Sequence, residues 1–157
     1  MVRKLLPILG ILAALFIVIG TLGISACLTR PDDLGLVDGA LRPCPTSPNC
    51  VRSEAGSSGR ARIEPLEVDG DPKRAFQALV DRLGAQEDVQ VAQLDPTYAH
   101  LVFTTSLLRF RDDLELRLDE AAGKIHVRSA SRVGHSDLGA NRARVERIRS
   151  EMAPSGR

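Results

Sequence analysis

The sequence predicts a small α+β domain, with two helices packed on one face of an antiparallel sheet of about five strands, preceded by an N-terminal membrane helix or signal. Three observations predict it. Leu114, Leu116 and Leu118 alternate with Asp113, Glu115, Arg117 and Asp119, and a period of two belongs to a sheet with one buried and one wet face. Two segments flanking the strand-rich stretch, near residues 71–84 and 138–152, repeat their apolar residues at helical spacing. Residues 5–29 carry no charge at all, unlike everything after them. A chain of 157 residues holds one ordinary domain and an appendage.

The appendage comes first. Arg3 and Lys4 give a basic start, and 18 of the 24 residues from Leu5 to Leu28 are apolar. A helix of about 20 apolar residues crosses the hydrocarbon core, and basic residues stay on the cytoplasmic side. Residues 30–157 are therefore expected on the extracytoplasmic (periplasmic) side of the cell membrane. Ile24-Ser-Ala-Cys27 also resembles the lipobox of bacterial lipoproteins, in which small residues precede a lipidated cysteine. An uncleaved anchor and a lipoprotein signal ending at Cys27 both stand as readings of residues 1–28. Both tether the outer domain to the membrane.

Residues 29–62 read as a linker. Proline and glycine recur through them, and a Ser/Gly cluster runs over residues 53–59. Within lies Cys44-Pro-Thr-Ser-Pro-Asn-Cys50. Outside the cytoplasm paired cysteines are usually oxidised, and two prolines lower the entropy cost of closing so short a ring. Cys44 and Cys50 are expected to form a disulfide. Cys27 is left over, as a lipidated or membrane-buried cysteine requires. A metal site needs more ligands than His100, His126 and His135 supply from scattered positions.

Residues 63–152 form the predicted domain, with 153–157 as a tail. Ile63-Glu-Pro-Leu66 is a short strand, placed at an edge by Pro65. Asp71-Pro72 opens the first helix, Asp as N-cap and Pro at the first helical position. Ala75, Phe76, Leu79, Val80 and Leu83 make its stripe, and Gly84 marks its stop. Strands are expected at 89–94 and 98–105, separated by the Asp95-Pro96 turn, and then through Leu114–Leu118. A hairpin turn at 120–123 leads to Ile125 and Val127, which extend the buried face. His126 and Arg128 extend the other, and His126 is read as solvated. The last helix spans 138–152, with Leu138, Val145, Ile148 and Met152 on its buried side. The order is β-α-β-β-β-β-α.

Charge narrows the function classes. Lys and Arg number 21 against 20 Asp and Glu, so the chain lacks the electrostatic footprint of a nucleic-acid binder. No Gly-x-Ser-x-Gly, His-Glu-x-x-His or phosphate-cradling glycine loop occurs. The densest polar stretch runs from Arg128 to Arg142. Along a strand Arg128 and Arg132 share one face, while Ser129 and Ser131 share the other. In one reading Arg128, Ser131, Arg132, Asp137, Asn141 and Arg142 form an anion or carboxylate site, with guanidinium forks as donors. In the other, Ser136 or Asp137 caps the last helix, Arg132 pairs with Asp137 or with Asp112/Asp113, and Asn141 bonds backbone. A hydrolase would need Ser131 or Ser136 to converge with His135 and Asp137, which sequence neighbours rarely do. Leu107-Leu-Arg-Phe-Arg111 interleaves apolar residues with arginine, as core packing or lipid-headgroup contact would.

Asp33-Leu-Gly35, Cys44-Pro-x-Ser-Pro-Asn-Cys50, Arg109-Phe-x-Asp-Asp113, Ile125-His-Val-Arg-Ser-Ala-Ser-Arg-Val-Gly134, Ser136-Asp-Leu-Gly139 and Asn141-Arg142 together resemble the domain-of-unknown-function 1499 family over roughly residues 31–152. The resemblance implies a bacterial envelope or other membrane-associated domain and supplies no reaction, substrate or cofactor. The expectation is a non-catalytic membrane-tethered module that binds an envelope protein or an anionic ligand. A carrier or sensor of an apolar ligand is the alternative, and it needs a cavity of about 300 Å³ or more.

Overall fold

The computed structural model describes residues 29–106 and 109–153. The expected anchor or lipoprotein signal at 1–28, Cys27, and the leucines at 107 and 108 lie outside these residues. Among the described residues no helix is long and apolar enough to cross a membrane. The chain divides into a unit ending at Arg30 and a second unit starting at Pro31.

The second unit is α+β, as expected, with ten regular elements and a short 3-10 turn at Gly59–Ala61 among the described residues. A hairpin comes first, β1 (Leu36–Val37) and β2 (Ala40–Leu41). Asp38 and Gly39 form its two-residue turn, both at positive φ, the backbone that such a hairpin demands. Then come β3 (Cys50–Arg52), β4 (Leu66–Glu67), α1 (Pro72–Gly84), β5 (Val89–Asp95), β6 (Tyr98–Thr104), β7 (Arg111–Asp119), β8 (Lys124–Ser131) and α2 (Ala140–Met152).

The large sheet has six strands in the order β3-β8-β7-β6-β5, with β4 also paired to β8. Every ladder in it is antiparallel. β3 covers the Arg128–Ala130 part of β8 and β4 covers Lys124 and Ile125, so two short strands share one edge. The segment read as a linker thus supplies β1, β2 and β3, and β3 belongs to the large sheet. Its composition is loop-like because its strands are only two or three residues long.

Both helices pack on one face, as expected. Leu101, Leu114, Leu116, Ile125 and Val127 meet Phe76, Leu79, Val80 and Leu83 of α1 and Val145 and Ile148 of α2 in one apolar core. Asp71 caps α1 by accepting from the backbone N–H groups of Lys73 and Arg74 at 3.0 and 3.2 Å. Gly84 has a different purpose from the one its position suggests. It keeps ordinary helical backbone, but an added Cβ would lie 2.8 Å from Cγ2 of Val91, so glycine lets α1 approach β5.

Two expectations fail here. Leu138 is not part of α2, which begins at Ala140, and its side chain is 97% exposed. The expected wet face of the sheet is also dry. His100, Asp113, Glu115 and Arg128, all on the face away from the helices, are buried. Backbone and side chains from residues 33–54 bond to this face, so alternation reported two buried faces of different chemistry.

Candidate functional site

The face away from the helices carries a ladder of ion pairs in three rows, set by the sheet register. In the middle row Glu115 stands opposite both His100 and Arg128. Arg128 Nη1 donates to Glu115 Oε2 at 2.9 Å, and Nη2 donates to the carboxylate of Asp33. Glu115 Oε1 accepts from Tyr98 Oη at 2.8 Å and from the backbone N–H of Gly35 at 2.6 Å. Arg128 is 1% exposed, whereas the side chain of Asp33 is 52% exposed. Arg128 Nε has no partner among the described residues.

Towards the start of β7, Arg132 forks onto Asp113 through Nε and Nη2 at 2.9 and 2.8 Å. His100 Nε2 lies 2.7 Å from Asp113 Oδ1. Burial opposes ionisation of Asp113, but the hydrogen bonds from His100 and Arg132 outweigh it and hold its carboxyl below the usual range. Towards the other end, Arg117 Nε and Nη2 donate to the two oxygens of Glu54 at 2.7 and 3.1 Å. Glu54 also accepts from the backbone N–H of Leu41, while Arg52 Nε donates to the carbonyl of Leu41 at 2.9 Å. Desolvation works against the Glu54 carboxylate, yet these bonds keep its pKa low. His126 lies between Ser53 Oγ at 3.2 Å and Glu54 at 3.4 Å. It is largely buried and not solvated as expected, and burial pulls its pKa below the usual imidazole value.

The Glu115–Arg128 and Glu54–Arg117 rows hold a strap, residues 33–41, against the sheet. Beside its first residues opens a cleft of about 260 Å³ lined by Pro31, Asp33, Ser47, Asn49, Asp113, Arg128, Ser131 and Arg132, among others. The Cys44–Cys50 disulfide closes the loop that forms one wall. Asn49 fixes that loop to β8 and beyond, donating to the carbonyls of Ser131 and Gly134.

Half of the expected anion site meets in this cleft. Arg128, Ser131 and Arg132 line it. Asn141 and Asp137 support it from the helix side. Asn141 Nδ2 donates to the carbonyl of Asn49 and to Ser131 Oγ, both at 3.0 Å. Asp137 accepts from the backbone N–H groups of Gly139 and Asn141 at 3.0 and 2.8 Å. These bonds outweigh the desolvation of Asp137 and hold its carboxyl low, and they cap α2 from three residues before its first residue, Ala140. Arg142 is elsewhere, its Nη2 donating to the carbonyls of Arg60 and Arg62. Ser136 Oγ accepts from the N–H of Leu138, and Asp137 accepts from the N–H groups of Gly139 and Asn141 and from Asn141 Nδ2. Among the described residues no group of three or more His, Cys, Asp or Glu is arranged to hold a metal ion.

A family model described as a protein of unknown function, DUF1499, matches residues 40–152. The chain belongs to the DUF1499 family. The resemblance already visible in the motifs is thus shown over most of the chain. No curated protein and no solved structure matches it. Within the matched residues Asn49, Asp113, Arg128 and Gly134 line one cleft, joined there by Asp33 from the segment before them.

Sequence reasoning missed Asp33, Glu54, Tyr98, His100 and Glu115 as members of the network. The available signal was the charge alternation on β7 and β8, where acid and base occupy the same face. Pairing Glu115 with Arg128 needs the strand register, which the turn length alone leaves open.

Proposed function

We infer that this DUF1499 chain is a membrane-tethered extracytoplasmic module, attached through residues 1–28, that works by binding and not by catalysis. Its ligand presents a carboxylate or phosphate group, free or on an envelope protein, to Arg128 and Arg132 in the cleft. The carrying observation is the carboxylate of Asp33. It is half exposed, comes from a separate segment, and sits on the outer edge of the buried Arg128 guanidinium. An anionic group already fits there, beside open cleft volume also lined by Arg132, whose Nε and Nη2 bind Asp113. The Cys44–Cys50 disulfide supports an oxidising compartment.

The test is titration of the full chain in detergent micelles with inorganic phosphate and with acetate, followed by NMR of the arginine side chains. Binding at Kd of ~1 mM or tighter is expected for at least one of them. Asp33→Asn removes the resident carboxylate charge and strengthens binding. Arg142→Ala, which lies outside the cleft, leaves it unchanged. Silence of the Arg128 and Arg132 resonances in both wild type and Asp33→Asn overturns the reading.

A further inference from the structure

We propose that the end of the domain bearing Leu138 is a docking surface for anionic phospholipid, a proposal that rests on the membrane tether inferred above. The first observation is Leu138 itself. It is 97% exposed and stands at φ +53, a left-handed backbone that leucine adopts only at a cost. The loop is built to hold it there. Ser136 Oγ accepts from the N–H of Leu138, and Asp137 accepts from the N–H groups of Gly139 and Asn141. Two unfavourable features, an apolar side chain in water and a strained backbone, are thus locked into one residue. Strain of this kind clusters at functional positions.

The second observation is charge. Leu138 shares a hollow of about 310 Å³ with Pro48, Arg60 and Arg142. Arg142 is held in place by two backbone carbonyls, and neither arginine makes an ion pair among the described residues. Asp137, the carboxylate in that hollow, accepts from the backbone N–H groups of Gly139 and Asn141 and from Asn141 Nδ2. An apolar tip flanked by two guanidinium groups against one carboxylate matches the boundary between acyl chains and anionic headgroups.

The third observation is position. The disulfide loop lines the hollow with Pro48 and the adjoining cleft with Ser47 and Asn49, and that cleft also contains Pro31, where the domain begins. Phe110, 44% exposed, precedes β7 at the same end of the sheet, where Arg111 pairs with Thr104. Leu94 is a useful contrast. It is 43% exposed but pairs with Ala99, one position from the β5–β6 turn at the opposite end.

The chain contains no Trp, so a single introduced Trp reports its own surroundings. Leu138→Trp, Phe110→Trp and Leu94→Trp full-length chains are reconstituted into phosphatidylcholine/phosphatidylglycerol vesicles. Emission is recorded with and without lipids brominated near the headgroup. The indoles of Leu138→Trp and Phe110→Trp are expected to emit at shorter wavelength, and to be quenched several-fold more, than that of Leu94→Trp. Adding Arg60→Glu and Arg142→Glu to Leu138→Trp should abolish that difference, as should pure phosphatidylcholine. If the chain floats with vesicles but Leu138→Trp is no better quenched than Leu94→Trp, docking is overturned and the tether stands. Selective quenching that persists with both arginines reversed overturns the anionic-lipid assignment. A chain that fails to float with vesicles overturns the tether and the docking together.

Discussion

Strand β7 separates two interiors. Leu114, Leu116 and Leu118 point into the helix-side core, and Asp113, Glu115 and Arg117 point under the strap; of these six only Arg117 is not fully buried. The apolar side is held by area removed from water, which has no direction and tolerates volume-conserving exchange. The charged side is held by forks and bidentate bonds that depend on strand register and on the exact neighbour. Its desolvation cost offsets much of the Coulombic gain. The helix face supplies most of the stabilising free energy, while the strap face determines where residues 33–54 lie and hence whether the cleft exists.

The sharpest way to break this division is to truncate neighbours on β7. Leu116→Ala should cost about 2–5 kcal/mol, as buried leucine truncations do. Glu115→Ala should cost about 3–5 kcal/mol, since it leaves the buried Arg128 guanidinium without its inner carboxylate. Replacing both partners, Glu115→Leu with Arg128→Met, should recover most of that loss in urea unfolding while releasing the strap to limited proteolysis. A double variant as unstable as Glu115→Ala, or one whose strap stays protected, would show that the pair does not position the strap.

The next effect tests the cleft wall. Cys44→Ser with Cys50→Ser opens a ring of seven residues, for which loop-closure entropy predicts a loss of about 2–3 kcal/mol. The loss should fall on the strap side. Amide exchange should rise around Asn49 and Ser131 and remain unchanged at Leu79 and Leu83 of α1.

Acid should attack the charged face and the cap of α2. Glu54, Asp113 and Asp137 have carboxyl pKa values held below the usual range, and His126 is held below its own usual value. A depressed folded pKa gives stability that is present above the unfolded pKa and is lost as pH falls through the folded one. His126 should therefore begin to destabilise the chain below about pH 6.5, and the carboxylates below about pH 4. Thermal melts from pH 8 to pH 3 should fall in those two stages, with the upper one absent from His126→Gln. A melting temperature that rises on acidification would contradict the sign.

Much of the fold was legible because it rests on local chemistry. The Asp71-Pro72 start of α1, the alternation of β7 and the turn before Lys124 each declare themselves within a few residues. The strap did not, because its strands are too short to show a period, and its bonds to Glu115, Glu54 and Arg128 span about eighty, thirteen and ninety-five positions. For the same reason the site was half legible. Arg128, Ser131 and Arg132 lie on one strand and its exit and were found together, whereas Asp33 and His100 arrive from other segments. Arg142 joined them only by sequence proximity, which the turn at residues 134–139 undoes.

The smallest effect concerns that turn. Asp137→Ala removes the cap of α2 and should cost about 1 kcal/mol. Its consequence is local, since Asp137 also accepts from Asn141 Nδ2, the group that reaches Asn49 and Ser131. Amide exchange at Ala143 and Arg144 should quicken, and the Asn141 side-chain amide should shift in NMR spectra. Asp137→Asn keeps a cap acceptor and should retain the helix start while losing the charge. If the Asn141 amide is unmoved in Asp137→Ala, the helix-side support of the cleft is Asn141 alone, and the two faces of the sheet are coupled through that one residue.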